Sequence, residues 1–451
     1  MSVPNQSRML HLNLFMRLYG HHPSAWQREA SRRDDAFTPD AFADLALTCE
    51  RGLFDAVFLA DTHSAVYARS DISTASMFEP FTLLSYIAAK TSRIGLIGTL
   101  SSTLHHPVTA ARTIASANLI SGGRVGVNLV TSQDDREPRL QGLPGLPDPE
   151  IRYARAREFA EVLLQLWDSY PRDAVVMDKV AGEFFDESLL RPVHHDGANF
   201  RVDGPLNIPR SAGGDPVLVQ AGASPQGRDL AATYAEAIYG IGSTIEDARD
   251  YYEDIKARAV AKGRAESDIV VLPGVVTVIG DTIAEAQDKK RALDALKSLP
   301  RQLDTLSNYI GMDCSRLDPN ELAPVLPPLE DFPGPKGRYV MMQTLSHDEH
   351  GQRVTVGELL GRISAGGGHF TAVGTASSIA DQLVEWFDGR AADGFNVNAS
   401  TLPEGIDEFV DQVVPELQER GVYRTEYDAT TLRGHFAQTI PSRAGATEVA
   451  A

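Results

Sequence analysis

Two adjacent histidines, His21 and His22, follow an apolar run from Leu10 to Met16 in the loop Tyr19-Gly-His-His-Pro, with Trp26 close behind. Imidazoles at such a place can polarise an oxygen of a bound molecule or move a proton, and they can equally cap backbone groups of their own loop. A second apolar run, Phe58-Leu-Ala, ends on Asp61, where a carboxylate is costly unless it is paired or bonded to a ligand. Thr99 and Asn128 close two further runs, with Ser101, Ser102, Thr131 and Ser132 beside them. Hydroxyls and an amide offer the mixed donors and acceptors that the edge of a heterocycle needs, or they cap the next helix. The stretch Gln220-Ala-Gly222-Ala223-Ser224-Pro-Gln-Gly227 leads into a helix at Arg228. Small residues let a backbone approach an anion, and the free N–H groups of a helix start suit a phosphate, with Arg228 a candidate helper.

Other chemistries lack their residues. GxGxxG and GxxxxGK[ST] are absent, as are HExxH, DxDxDG, a Cys/His ligand spacing and a GxSxG elbow, so no metal is expected. His194, His195 and His369 fall in inserted stretches and read as surface or loop histidines, and His347 and His350 as weaker candidates for proton work.

The elements that must position these groups alternate. Leu10 to Met16, Ala56 to Ala60, Ile94 to Leu100, Val125 to Val130, Val217 to Val219, Ala235 to Tyr239, Ile269 to Ile279 and Gly394 to Val397 are aliphatic and nearly continuous, the mark of parallel strands buried on both faces. Helical patterns follow them, opened by Thr38-Pro39, Pro80 and Pro107 and closed by Gly52 and Gly122-Gly123, with Phe159, Leu163 and Leu166 at helical spacing in Ile151 to Tyr170. Further helices are predicted over Thr244 to Lys262, Thr282 to Leu299, Ser377 to Asp388 and Ile406 to Arg420. This is the pattern of an α/β protein, a (β/α)₈ TIM barrel, whose chemistry lies at the C-terminal strand ends. A single domain over 1–440 is expected, with insertions at about 140–215 and 308–368 acting as lid or substrate loops and a flexible tail at 441–451. Phe15, Met16, Trp26, Phe58, Met77 and Phe78 are candidates for an apolar wall at the mouth.

The 451 residues carry 42 Lys and Arg against 61 Asp and Glu, a net charge of −19 that disfavours nucleic acid as a partner. No apolar stretch long enough to span a membrane occurs, the N-terminus has no apolar leader, and Cys49 and Cys314 stand apart. A cytoplasmic protein without a membrane partner is expected.

Phe58-Leu-Ala-Asp61, Glu79-Pro-Phe-Thr, Ser121-Gly-Gly-Arg124 with Asn128-Leu-Val-Thr-Ser132, Arg152-Tyr153-x-Arg, Gly204-Pro-Leu-Asn-x-Pro-Arg210, Gln220-Ala-Gly-x-Ser224-Pro and Ala392-Asp-Gly-Phe-Asn396 occur in order. Together they resemble the nitrilotriacetate, pristinamycin-synthase and dibenzothiophene-sulfone monooxygenases among the bacterial luciferase-like flavin enzymes. The resemblance runs from about residue 8 to about residue 433.

It implies a luciferase-like barrel that takes reduced FMN as a cosubstrate from a separate NAD(P)H:FMN reductase. With O₂ the enzyme would oxygenate a small organic molecule through a flavin hydroperoxide. Carried over by position, Asp61, Thr99, Asn128, Tyr153 and Ser224 match flavin-contacting residues, with Ala223 and Ser224 amides and the Tyr153 hydroxyl on the phosphate; Pro149 stands where the family often has His. His21 or His22 would serve as the catalytic group, and a homodimer or homotetramer is expected. The alternatives are a deazaflavin (F420)-dependent hydride-transfer oxidoreductase on the same barrel and a flavin-binding subunit without chemistry. An excess of basic residues in the pocket would favour a polycarboxylate, with Arg17, Arg69, Arg112 and Arg338 the positions that decide.

Overall fold

A strand of Val, Ile, Leu and Ala without alternation has no face for water, so both faces need cover. In the computed structural model, which describes residues 8–65, 78–240, 242–332, 336–348, 350–364 and 368–438, most strands gain that cover by closing into a ring. The strands are β1 (His11–Met16), β2 (Ala56–Leu59), β3 (Gly95–Ser101), β4 (Val125–Val130), β5 (Val193–Asp196), β6 (Arg201–Gly204), β7 (Val217–Gln220), β8 (Ala237–Gly240), β9 (Val270–Ile279), β10 (Phe370–Gly374) and β11 (Gly394–Ala399). Eight of them run parallel in the order β11-β1-β2-β3-β4-β7-β8-β9, and β9 pairs with β11 to close the barrel. The (β/α)₈ expectation is borne out. Among the described residues no helix is long and apolar enough to cross a membrane.

Strand parity separates two cores. Ala56, Phe58, Ile97, Val217, Val219, Ala237, Val270 and Leu272 cluster inside the ring with Leu432 and Phe436, which the chain's last described helix, Leu432–His435, brings beneath them. Leu12, Leu14, Met16, Val57 and Leu59, one residue out of phase, pack outward on helices such as Pro39–Arg51 and Pro80–Lys90. Phe15 and Met16 are therefore not on one wall: Met16 faces the helices. Phe78 packs edge-on against Phe42 in that outer layer, Trp26 is 39% exposed, and Met77 lies outside the described residues.

Two additions depart from the plain repeat. The β5–β6 hairpin stands in the first insertion with His194 and His195 on it. The Pro- and Gly-rich stretch 308–368, expected as lid or substrate loops, carries helices Lys336–Leu345 and Val356–Ser364, which share with the preceding helix Leu299–Ile310 a core of their own, including Leu303, Leu306, Ile310, Tyr339, Leu359 and Ile363. Cys314, in what reads as a polar stretch, is buried in that core. The apolar spacing outweighed the breakers, which only punctuate it. Strand β10, absent from the sequence reading, follows these helices and joins the outer half of β9.

At the opposite, N-terminal end the barrel is closed by charge. Asp55, wholly buried, accepts from the Leu12 N–H at 2.7 Å and pairs with His11 at 3.1 Å and with Arg424. Burial alone would raise its pKa, but Arg424 and His11 overcome it and hold the carboxyl at about 2. Since an unfolded carboxylate titrates near 3.9, Asp55 stabilises the fold above about pH 4, and that share is lost as the pH falls toward 2. Asp55→Ala, which leaves Arg424 and His11 without their anion, is expected to cost about 3–5 kcal/mol in urea unfolding at neutral pH. It should also flatten the loss of stability in acid.

Candidate active site

The chain enters the mouth at the end of β1 through a constrained turn. Gly20 has φ +122°, and a Cβ there would lie 2.4 Å from the Ser400 carbonyl oxygen. The next residues are laid along β11: His21 N–H donates to the Ala399 carbonyl at 2.8 Å and His22 N–H to that of Ser400 at 3.1 Å. His22 is buried; its Nδ1 accepts from the Ser24 N–H at 3.1 Å, so its Nε2 carries the proton facing Asp294 at 3.2 Å. Asp294 also takes Lys290 at 2.8 Å; burial opposes its charge, and the His22 and Lys290 hydrogen bonds hold its pKa below the ordinary value. His21 stands edge-on to Phe15 at 5.9 Å and to His369 at 5.7 Å.

These groups surround a cavity of about 210 Å³, roofed by Gln302, Thr305 and Tyr309 from one insertion helix and by Leu360, Ile363 and Ser364 from another. Behind its lining residues His21 and His369, inside the ring, lies an aromatic cluster. Phe15 stacks on Phe58 at 5.4 Å, Tyr239 closes on both at 5.6 and 5.8 Å, and His369 stacks on Tyr239 at 5.6 Å. The Tyr239 hydroxyl shares hydrogen bonds with Asn398, and burial pushes its pKa up. Sequence reasoning missed Tyr239 and set His369 among loop residues; the signal was His369's place next to a short Phe-Thr-Ala-Val run.

The remaining predicted residues gather elsewhere on the mouth. Register places Thr99 opposite Asn128, and the Asn128 amide donates to the Thr99 hydroxyl at 3.0 Å while Asn128 Oδ1 is buried without a partner. The Ser224 hydroxyl caps helix Pro225–Tyr234 by accepting from the Gly227 N–H at 3.1 Å, and donates to the Tyr153 hydroxyl at 3.0 Å. A Cβ at Gly227 would lie 3.1 Å from that Tyr153 oxygen, so the cradle is kept open by the missing side chain. Ala223 is spoken for on its carbonyl side by Arg228, which also bridges to Asp254 at 2.9 Å and stacks on Tyr251. Arg228 is thus engaged away from the cradle.

Asp61 is paired, with His63 at 3.2 Å, and His63 abuts His105 at 5.2 Å. The Asp61 hydrogen bond raises the His63 pKa against the effect of burial, whereas burial lowers that of His105. His347 and His350 are exposed, and the His194–Asp203 pair sits on the outer hairpin. Arg69 lies outside the described residues and Arg112 is exposed on Asn207. The cavity and the Thr99–Asn128–Ser224 group share no lining residue. At about 210 Å³ the cavity is smaller than the ~300 Å³ of an ordinary ligand pocket, and suits a small organic group.

A parallel barrel with helices outside thus carries, at its C-terminal strand ends, a polar cradle at one helix start and a separate roofed cavity, the end at which barrel enzymes hold their chemistry. The chain belongs to the luciferase-like monooxygenase family, whose sequence profile matches residues 16–393. It is 40% identical over 441 residues to N-acetyl-S-(2-succino)cysteine monooxygenase of Bacillus subtilis (strain 168), covering 97% of this chain and 99% of that one. It is 36% identical to nitrilotriacetate monooxygenase component A of Aminobacter aminovorans, covering 96% and 98%. The solved EDTA monooxygenase from Chelativorans sp. BNC1 superposes with a TM-score of 0.81 at 32% identity, covering 96% and 99%. An F420-dependent secondary alcohol dehydrogenase, at 16% identity and a TM-score of 0.59, shares the fold alone. The chain is an enzyme, a flavin-dependent monooxygenase.

Because Asp61 is what raises His63, Asp61→Asn is expected to lower the His63 titration midpoint, with burial then the main effect. Proton NMR of the His63 ring across pH 5–9 checks this (roughly the window of a perturbed imidazole).

Proposed function

We propose that this chain is the oxygenase component of a two-component system. It takes reduced FMN from a separate NAD(P)H:FMN reductase and oxygenates a small organic substrate with O₂. The observation that carries the reading is the orphaned Asn128 Oδ1 beside Thr99, an acceptor left for a donor that the protein does not supply. A reduced flavin, when bound, supplies the electrons that send one oxygen atom to substrate and the other to water.

In this reading the chain's own groups divide the work. Asn128 and Thr99 bind the ring edge. The Ala223 and Ser224 backbone N–H groups, with the Ser224 and Tyr153 hydroxyls, hold the phosphate at the helix start. Asp61 fixes the charge state and orientation of His63 at the β2 exit. Phe15, Phe58 and Tyr239 keep water from the reacting face, as oxygen chemistry requires. His21, facing the cavity, donates or holds the proton, and His22, tied to Ser24 and Asp294, positions it. The insertion helices act as the lid. Two buried free cysteines support a cytoplasmic setting, and the exposed Val176, Met177, Val180 and Phe184 support a homodimer or homotetramer.

Anaerobic titration should give tight binding of reduced FMN, and air with a flavin reductase should give substrate-coupled O₂ uptake. Turnover with reduced F420 and none with reduced FMN would overturn the reading. Asn128→Leu removes a buried orphan acceptor together with one bond to Thr99, two effects of opposite sign, so it should leave the thermal midpoint nearly unchanged. The same change should weaken reduced FMN about 10-fold, the worth of one buried hydrogen bond.

A further inference from the structure

We infer that Arg17 is the carboxylate-binding residue of the cavity, and that the substrate of this chain is a small organic acid. The inference rests on the oxygenase reading for the reaction of the bound acid, not for its binding.

Arg17 comes directly after β1 and lines the cavity. It is part-buried, no described carboxylate pairs with it, and its Nε is enclosed with no hydrogen-bond partner. Burial lowers its pKa, and the ionisable groups that act on it are the phenols of Tyr239 and Tyr309, with no carboxylate among them. Other arginines around the barrel have partners for their charge: Arg124 bonds to Ser121, Thr91, Ile94 and Ala88 and Arg155 to Ser102 and His105, while Arg28 and Arg424, each with one amino group also unbonded, pair with Glu404 and Asp55. A desolvated guanidinium without an anion costs stability, and its fork fits a carboxylate.

The wall holds one further cation, Lys297, and one acid, Asp294. Lys297 lines the cavity with its ammonium 2.6 Å from the Thr305 hydroxyl. The carboxylate on the lining, Asp294, is already matched by His22 and Lys290. A cationic recess has thus been built into a chain of net charge −19, where the overall field repels anions and only a local site can hold one. The flavin phosphate is not that anion: β1 and β7 are four strands apart in a ring of eight, so the Ser224 cradle lies across the barrel from Arg17. The cavity, of about 210 Å³, shares no lining residue with that cradle.

The test uses the full chain with succinate, nitrilotriacetate and N-acetyl-S-(2-succino)cysteine as probes, together with the methyl esters of the last two. Calorimetry should show at least one acid binding and its ester not. Arg17→Gln should weaken that acid about 10- to 100-fold, as loss of a charge-assisted bidentate contact does, and Arg17→Lys should recover part of it. With reductase, FMN and air, Arg17→Gln should raise KM by the same factor with kcat within about threefold. Its thermal midpoint should equal or exceed that of the unchanged protein, whereas a structural arginine would lower it. The preference for FMN over riboflavin should not move.

Esters binding as well as acids, no acid binding, or unchanged affinity in Arg17→Gln would overturn the inference. A lost preference for FMN over riboflavin would reassign Arg17 to the phosphate and overturn it too. Acid binding abolished by Arg17→Gln in a protein that consumes no O₂ with reduced FMN would instead keep Arg17 and defeat the oxygenase reading.

Discussion

Charge brought to the end of a strand that is buried on both faces must be neutralised on the spot, and the two ends of this barrel do so differently. At the N-terminal end the buried acids are closed off. Asp55 is held by His11 and Arg424, Asp393 by Lys256 at 2.8 Å and Arg8 at 3.1 Å, and Glu236 by Arg433. These acids are spent on the fold, which is what a stability face requires. At the C-terminal end the balance is incomplete: among the described residues Arg17 lacks an anion and Asn128 a donor. In a low-dielectric setting such gaps are costly; Arg424 and His435 at the other end also have an unbonded nitrogen, but of these residues only Arg17, at the C-terminal mouth, opens on a cavity that a ligand could fill.

The mouth owes its shape to β9. Ten residues long, it pairs with β8 through its first part and then, on the same edge, with β10. The second pairing prises β8 from the outer half of β9 and delivers His369 into the gap, with the Phe370 N–H reaching the Gly242 carbonyl at 3.2 Å. Gly274 makes the convergence possible. A Cβ there would lie 2.7 to 2.8 Å from the Tyr239 hydroxyl, the Asn398 amide and the His369 ring, so those three groups can meet only over a glycine. The insertion that roofs the cavity is therefore threaded into the sheet by its own last strand.

The same geometry explains which features were legible in the sequence. The eight barrel strands were, because each is a short aliphatic run that owes its burial to the ring itself. Thr99, Asn128 and Ser224 were legible as candidates because strand exits and helix starts are local features, whereas Tyr153, inside a helix, comes only with the family resemblance and its bond to Ser224 was not legible. The hairpin β5–β6 was not, because its strands are short and mostly polar, and strand β10 and the insertion helices were not, because their partners lie far away in sequence, as Leu303 and Leu360 do in one cluster. Tyr239 and His369 belong to the same class: their stacking depends on two strands 130 residues apart in sequence meeting at one edge (239 to 369). Some motif residues proved to be scaffolding. Arg124 ties a helix end to the start of β3, and Glu79 caps helix Pro80–Lys90 through the Phe81 and Thr82 N–H groups.

The acidity of the chain gains meaning from this geometry. A flavin phosphate at the Ser224 cradle and an acid at Arg17 would each enter against a net charge of −19, and each would be held by donors of its own on opposite sides of the ring. Opposed anchors keep two anions from competing for one site, and they leave the aromatic floor of Phe15, Phe58 and Tyr239 as the ground between them. A reacting face held there by its two distant charged ends needs no charged group of its own. That is consistent with Tyr239, whose burial keeps the phenol neutral, and with His22, whose ring is locked by Ser24 and Asp294. Binding energy gathered at the rim is in this way available to orient groups at a dry centre.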